Sequence, residues 1–144
     1  MAAVPAAARR LVDLGSGGGL PGLVVAVRCP WLHVTLVERR TRRADLLLRA
    51  VRSLALTARV TVVADDVQVV ATATPHSFDV VTARSFAAPP LTARWAGELL
   101  VAGGVLVVSE PPTDVAERWP NDVLAAAGLA DQGREQGIRR FLKV

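Results

Sequence analysis

Short apolar runs alternate along this chain with longer stretches in which apolar positions recur every three or four residues. Residues 11–14 read as a strand and 20–28 as the helix that follows it. "HVTLVE", 33–38, is β-branched and strand-like. Over 42–56, Leu46, Leu47, Ala50, Val51 and Leu54 fall on one side of a helix. Residues 61–64, entered from Val60, give a third strand and 78–83 a fourth. Pro89 and Pro90 suit a helix start and precede a helical pattern over 91–100. Gly103-Gly104 reads as a turn, and "VLVVS", 105–109, as a strand too apolar to face water. After the break at Pro111-Pro112, a helix is expected over 114–127, ending at Gly128. The closing "GIRRFLKV" reads as a last strand, antiparallel to the rest. Strands this apolar, alternating with helices, imply a mostly parallel sheet covered on both faces. With no internal repeat and no linker, residues 1–144 are expected to form one domain, with 1–8 frayed.

Composition narrows the core. Of the 144 residues, 51% are hydrophobic but only 4% aromatic, with no Tyr, so the interior is built from Val, Leu and Ala. No run reaches the roughly 18 apolar residues of a membrane span. The opening "MAAVPAAARR" has its charges after its apolar run, the reverse of a secretory leader. Cys29 is the only cysteine, which suits a reducing cytoplasm and makes an internal disulfide impossible. The net charge of +4 fits either a nucleic-acid partner or simply an Arg-rich composition. Nothing suggests a metal or a membrane.

The densest signal is "LVDLGSGGGLPG", residues 11–22, set between a strand and a helix. In an open parallel sheet ligands bind beyond the carboxyl ends of the strands, where the strand order reverses. Glycine there lets the backbone approach a ligand. Two motifs fit. Gly17, Gly19 and Gly22 match the dinucleotide pattern G-x-G-x-x-G; Asp13, Gly15, Gly17 and Gly19 match the D-x-G-x-G-x-G loop of S-adenosylmethionine-dependent methyltransferases. A pyrophosphate wants bare N–H donors, and an acidic side chain beside it is a handicap. The ammonium and sulfonium of S-adenosyl-L-methionine favour a carboxylate, so Asp13 tips the balance toward that cofactor.

Glu38, at the end of the second strand, is placed to accept hydrogen bonds from a ribose diol, which both cofactors possess. Asp65 and Asp66 end the third strand, where one of them would receive the adenine amino group or merely cap a helix. Arg39, Arg40, Arg42 and Arg43, with Arg49 and Arg52 beyond, are either phosphate contacts for RNA or a solvated helix face. His33 and His76 read as structural or solvated, Cys29 as packing at a helix end, and Trp31, Trp95 and Trp119 as packing anchors.

With "DLGSGGGLPG", "VTLVE" followed by Arg42-Arg43, and "FDVVTARSFA" in view, the chain resembles the bacterial 16S rRNA guanine-N7 methyltransferase family, also called glucose-inhibited division protein B, from about Leu11 to Ser109. The resemblance implies a three-layer Rossmann-like class I methyltransferase fold with a seven-stranded sheet. It implies S-adenosyl-L-methionine as donor and a guanine of 16S rRNA in the small ribosomal subunit as acceptor. By position, it implies that Gly15 and Leu20 contact the cofactor, that Val67 and Gln68, or Asp66 beside them, border the adenine, and that Arg84 lies by the methionine end and the acceptor. Two departures stand out: only ten residues precede Leu11, where family members carry a helical segment, and Ser109-Glu110-Pro111-Pro112 replaces the family's Lys-Gly. The resemblance therefore points to a short or N-terminally truncated member, expected to bind cofactor but to methylate rRNA weakly or not at all by itself. A small-molecule methyltransferase of the same fold and a non-catalytic cofactor-binding domain are the alternatives.

Overall fold

A computed structural model describes residues 3–113 and 117–144. The elements run β1 (Arg10–Leu14), α1 (Gly22–Arg28), β2 (His33–Val37), α2 (Thr41–Ser53), β3 (Val60–Val63), α3 (Val67–Ala73), β4 (Phe78–Arg84), α4 (Pro89–Leu99), β5 (Leu100–Ser109), α5 (Asn121–Ala127), β6 (Leu129–Glu135) and β7 (Ile138–Lys143). They form one seven-stranded sheet of order β3-β2-β1-β4-β5-β7-β6. β1 to β5 are mutually parallel, and β7 runs antiparallel to both β5 and β6. The expected mostly parallel sheet with an antiparallel final strand is the one observed.

Strand alternation divides the core between two faces. Leu11, Leu36 and Val80 join α1 and α2 through Val25, Ala26, Leu47 and Val51. Val12, Val81, Leu106 and Phe141 join α3, α4 and α5 through Val70, Ala96 and Leu124. The order reverses at β1, which has β2 on one side and β4 on the other. Crossovers leave it in opposite directions, so a crevice opens beyond the carboxyl ends of β1 and β4.

Several expectations need correction. Gly103-Gly104 does not reverse the chain: both lie within β5, where the register with β4 jumps from Phe78↔Leu100 to Val80↔Val105, and the extra residues bulge. The helix expected over 114–127 begins only at Asn121, behind Pro120; its expected start at 114–116 lies outside the described residues. Leu46 and Leu54 do not face the core. They are 61% and 48% exposed, and α2 buries Ala44, Leu47 and Val51 instead. The segment 3–8 is folded back rather than frayed: Ala8 is buried, with Ala3 and Val4 packed beside it, while residues 1 and 2 lie outside the described set. Trp95 and Trp119 are buried as expected, but Trp31 is exposed. Cys29 is buried at the end of α1.

A candidate cofactor cleft at the carboxyl edge of the sheet

The chain leaving β1 turns at Gly15, whose φ is +66°, a left-handed conformation that glycine adopts without strain. A Cβ there would meet the Phe86 ring at 3.0 Å. The loop then folds on itself: Ser16 N–H donates to the Val37 carbonyl (2.9 Å) and Gly19 N–H to the Ser16 carbonyl (2.7 Å). Gly17 N–H donates to Glu38 Oε2 at 2.9 Å, and Arg40 N–H to Glu38 Oε1, also at 2.9 Å. Glu38 thus pins the glycine loop with one oxygen and the start of α2 with the other. It is 5% exposed and borders the cleft. Each carboxylate oxygen carries two acceptor sites, so both retain capacity for a ligand hydroxyl.

The cleft has a volume of about 510 Å³, within the range of small-molecule sites. Its lining includes Gly15 and Glu38, then Asp65, Asp66 and Val67 beyond β3, and the apolar side chains of Phe86, Leu91 and Trp95. Arg39, Arg40 and Arg43 also line it; Arg42 does not. Asp66 is the N-cap of α3, its Oδ1 accepting Gln68 N–H at 3.0 Å. Asp65 Oδ1 accepts Asp66 N–H at 2.7 Å. Gln68, Leu20 and Arg84 are exposed and lie outside the cleft lining, as do Gly17 and Gly19, which shape the loop from behind.

Asp13 is placed differently from its expected role. Its carboxylate is buried and turned inward, accepting Thr82 Oγ1–H at 2.5 Å and Gly22 N–H at 3.3 Å. Burial pushes its pKa up to about 6, against the opposing pull of the Thr82, Ser16 and Gly22 hydrogen bonds. Asp13 therefore ties β1 to β4 and to the first turn of α1 instead of facing a cationic ligand. The acidic groups that do face the cleft are Glu38, Asp65 and Asp66.

Sequence reading missed Ser85, Phe86, Leu91 and Trp95. The signal was present in "TARSFA": a segment leaving β4 beside β1 must pass the crevice. Ser85, with φ +50°, turns the chain so that Phe86 packs against Gly15.

A ligand with a ribose diol, an adenine amino group and an apolar base face fits these residues: Glu38 for the diol, Asp65 or Asp66 for the amino group, the Phe86–Trp95 wall for the face. S-adenosyl-L-methionine has all three, as NAD does, so these residues suit an adenosine-containing cofactor without choosing between the two.

Comparisons with known proteins point the same way. The family model for GidB, rRNA small subunit methyltransferase G, matches residues 1–117. Ribosomal RNA small subunit methyltransferase G of Salinispora arenicola is 48% identical over 168 aligned positions, covering 90% of this chain and 69% of the relative. Its counterpart in Salinispora tropica is 45% identical over 111 positions, 74% of this chain and 46% of the relative. A crystal structure described as a predicted O-methyltransferase of Agrobacterium tumefaciens superposes with a TM-score of 0.72 at 27% identity, covering 94% of this chain and 74% of that one. This chain spans about half the length of most of the curated relatives it matches. The fold is that of the class I methyltransferases. With a family match running from the N-terminus through β5, and a relative nearly half identical across most of the chain, this protein belongs to the rRNA small subunit methyltransferase G family.

Proposed function

We propose that this chain binds S-adenosyl-L-methionine in the carboxyl-edge cleft and methylates N7 of a guanine in 16S rRNA. The observation that carries the reading is Glu38, a buried carboxylate at the end of β2 that braces the glycine loop and still borders the cleft. Bound there, the cofactor supplies a methyl carbon activated by its sulfonium. Glu38 holds the ribose, Asp65 or Asp66 accepts from the adenine amino group, and Gly15 keeps the turn free of a side chain. Phe86, Leu91 and Trp95 exclude water from one wall.

Guanine N7 carries a lone pair and no proton, so the chain needs no general base. Its contribution is alignment, which supplies up to roughly 7–11 kcal/mol in favourable cases. Arg39, Arg40, Arg42 and Arg43 supply phosphate contacts beside the cleft. The partner is then the small ribosomal subunit, and the place of action the cytoplasm.

Transfer of labelled methyl to small subunits lacking the modification, followed by mapping, tests the reading. Label on a single guanine N7 is expected, even if transfer is slow. Label on another base, or transfer only to small hydroxylated acceptors, would refute it.

A further inference from the structure

We infer that the RNA crosses the carboxyl edge of the sheet between two basic anchors, the second being the arginine group gathered round Glu110. This deepens the rRNA reading above and rests on it. The first anchor is the arginine rim at the end of β2. The second lies past the cleft, where β5 ends at Ser109, pairing with Arg84 of β4 on one side and Ile138 of β7 on the other.

Glu110 follows β5 directly, and its side chain is only 4% exposed. It accepts Trp119 Nε1–H at 2.6 Å and Arg139 Nε–H at 3.1 Å, and pairs with Arg118 at 3.5 Å and Arg134 at 3.6 Å. Asp131 takes a second bond from Arg139, at 2.7 Å. One guanidinium is enough to tie down one carboxylate. Here three converge on it, with Asp131 as a second carboxylate on Arg139 and the Pro111 and Pro112 carbonyls accepting from Arg134, so the group keeps a net positive charge that Arg118 presents most openly. Arg118 is the most open of the three, with 32% of its side chain exposed. Its Nε is buried without a hydrogen-bond partner, which leaves the pair with Glu110 as a loose ionic contact.

The spacing suits a nucleic-acid strand. From the β2 end to β7 there are four strand intervals, or about 19 Å at about 4.8 Å each. The cofactor cleft reaches from the end of β3 to the segment after β4, so the first anchor stands on its lining and the second lies beyond it. A strand laid across this edge meets arginine at both ends and passes its bases over the cleft. By contrast, Arg28 and Arg52 sit in the last turns of α1 and α2, at the far edge of the sheet.

The test is a titration of the full chain with a small-subunit rRNA fragment between about 50 and 200 mM salt. R118E should weaken binding about tenfold at low salt and lower the salt slope by about 1. R52E, with the same charge change at the far edge, should leave both unchanged. Binding of S-adenosylhomocysteine should be the same in R118E as in the wild type. If R118E binds RNA like the wild type while R43E loses affinity, the second anchor is refuted and the rRNA reading stands. If neither variant loses affinity, the anchor and the RNA reading fall together. If R118E does not fold, photocrosslinking of the unaltered chain decides: crosslinks at 118–119 and 134–139 support the anchor, and crosslinks confined to α2 overturn it.

Discussion

Asp13 and Glu38 end neighbouring parallel strands, and both are buried, but they serve different parts of the molecule. Asp13 holds a proton more tightly when folded, because burial raises its pKa from 3.8 to about 6. The folded state thus binds more protons than the unfolded state across that window, and stability falls as pH rises through it. The difference amounts to about 3 kcal/mol. Asn fits the same site, accepting from Gly22 N–H and donating to the Thr82 hydroxyl. Urea unfolding of D13N and wild type from pH 4 to pH 7 should therefore show the wild type losing ground to the variant by about that amount; parallel profiles would show that Asp13 is not held this way. Glu38 presents the opposite case, a carboxylate kept at the cleft. E38A should weaken S-adenosylhomocysteine binding by roughly 1–3 kcal/mol. It should also destabilise the fold by about 1–3 kcal/mol, because Gly17 and Arg40 N–H lose their acceptor. Affinity unchanged in a folded variant would remove Glu38 from the site.

Elements were legible wherever burial and periodicity agreed. The five parallel strands are largely apolar; β1 to β4 are legible to within a residue, whereas only the second half of β5 is, because Gly103-Gly104 reads as a turn. α3 was missed because "VQVVATA" is β-branched and strand-like; its helix is set by the Asp66 cap and by Val67, Val70 and Ala71 packing under α4's neighbours. β6, "LADQGRE", is too polar to announce itself and exists through its hairpin with β7. The close seating of α1 was hidden as well. A Cβ on Gly22 would come within 2.6 Å of both Asp13 Oδ2 and Leu36 Cδ2. G22A should accordingly cost about 1–3 kcal/mol by overpacking, with α1 pushed off β1. Thermal or urea unfolding reads this, and a neutral substitution would mean that α1 seats more loosely.

At the scale of the whole molecule, the sequence located the crevice but not its walls. The glycine run, Glu38 and Asp65-Asp66 could be placed because they end strands, and strand ends of a parallel sheet share one edge. Phe86 and Trp95 could not, since only the fold shows that the segment after β4 and the first turns of α4 close over Gly15. Nor could the inward turn of Asp13, which depends on Thr82 arriving from a strand sixty-nine residues away. That the cleft binds S-adenosylmethionine is the proposal on which the others rest. Its most direct measurement is calorimetric titration of the purified chain with S-adenosylhomocysteine and, separately, with NAD. Saturable binding of S-adenosylhomocysteine, weakened by E38A, with no response to NAD, is the result predicted. Tight NAD binding with no response to S-adenosylhomocysteine would contradict it.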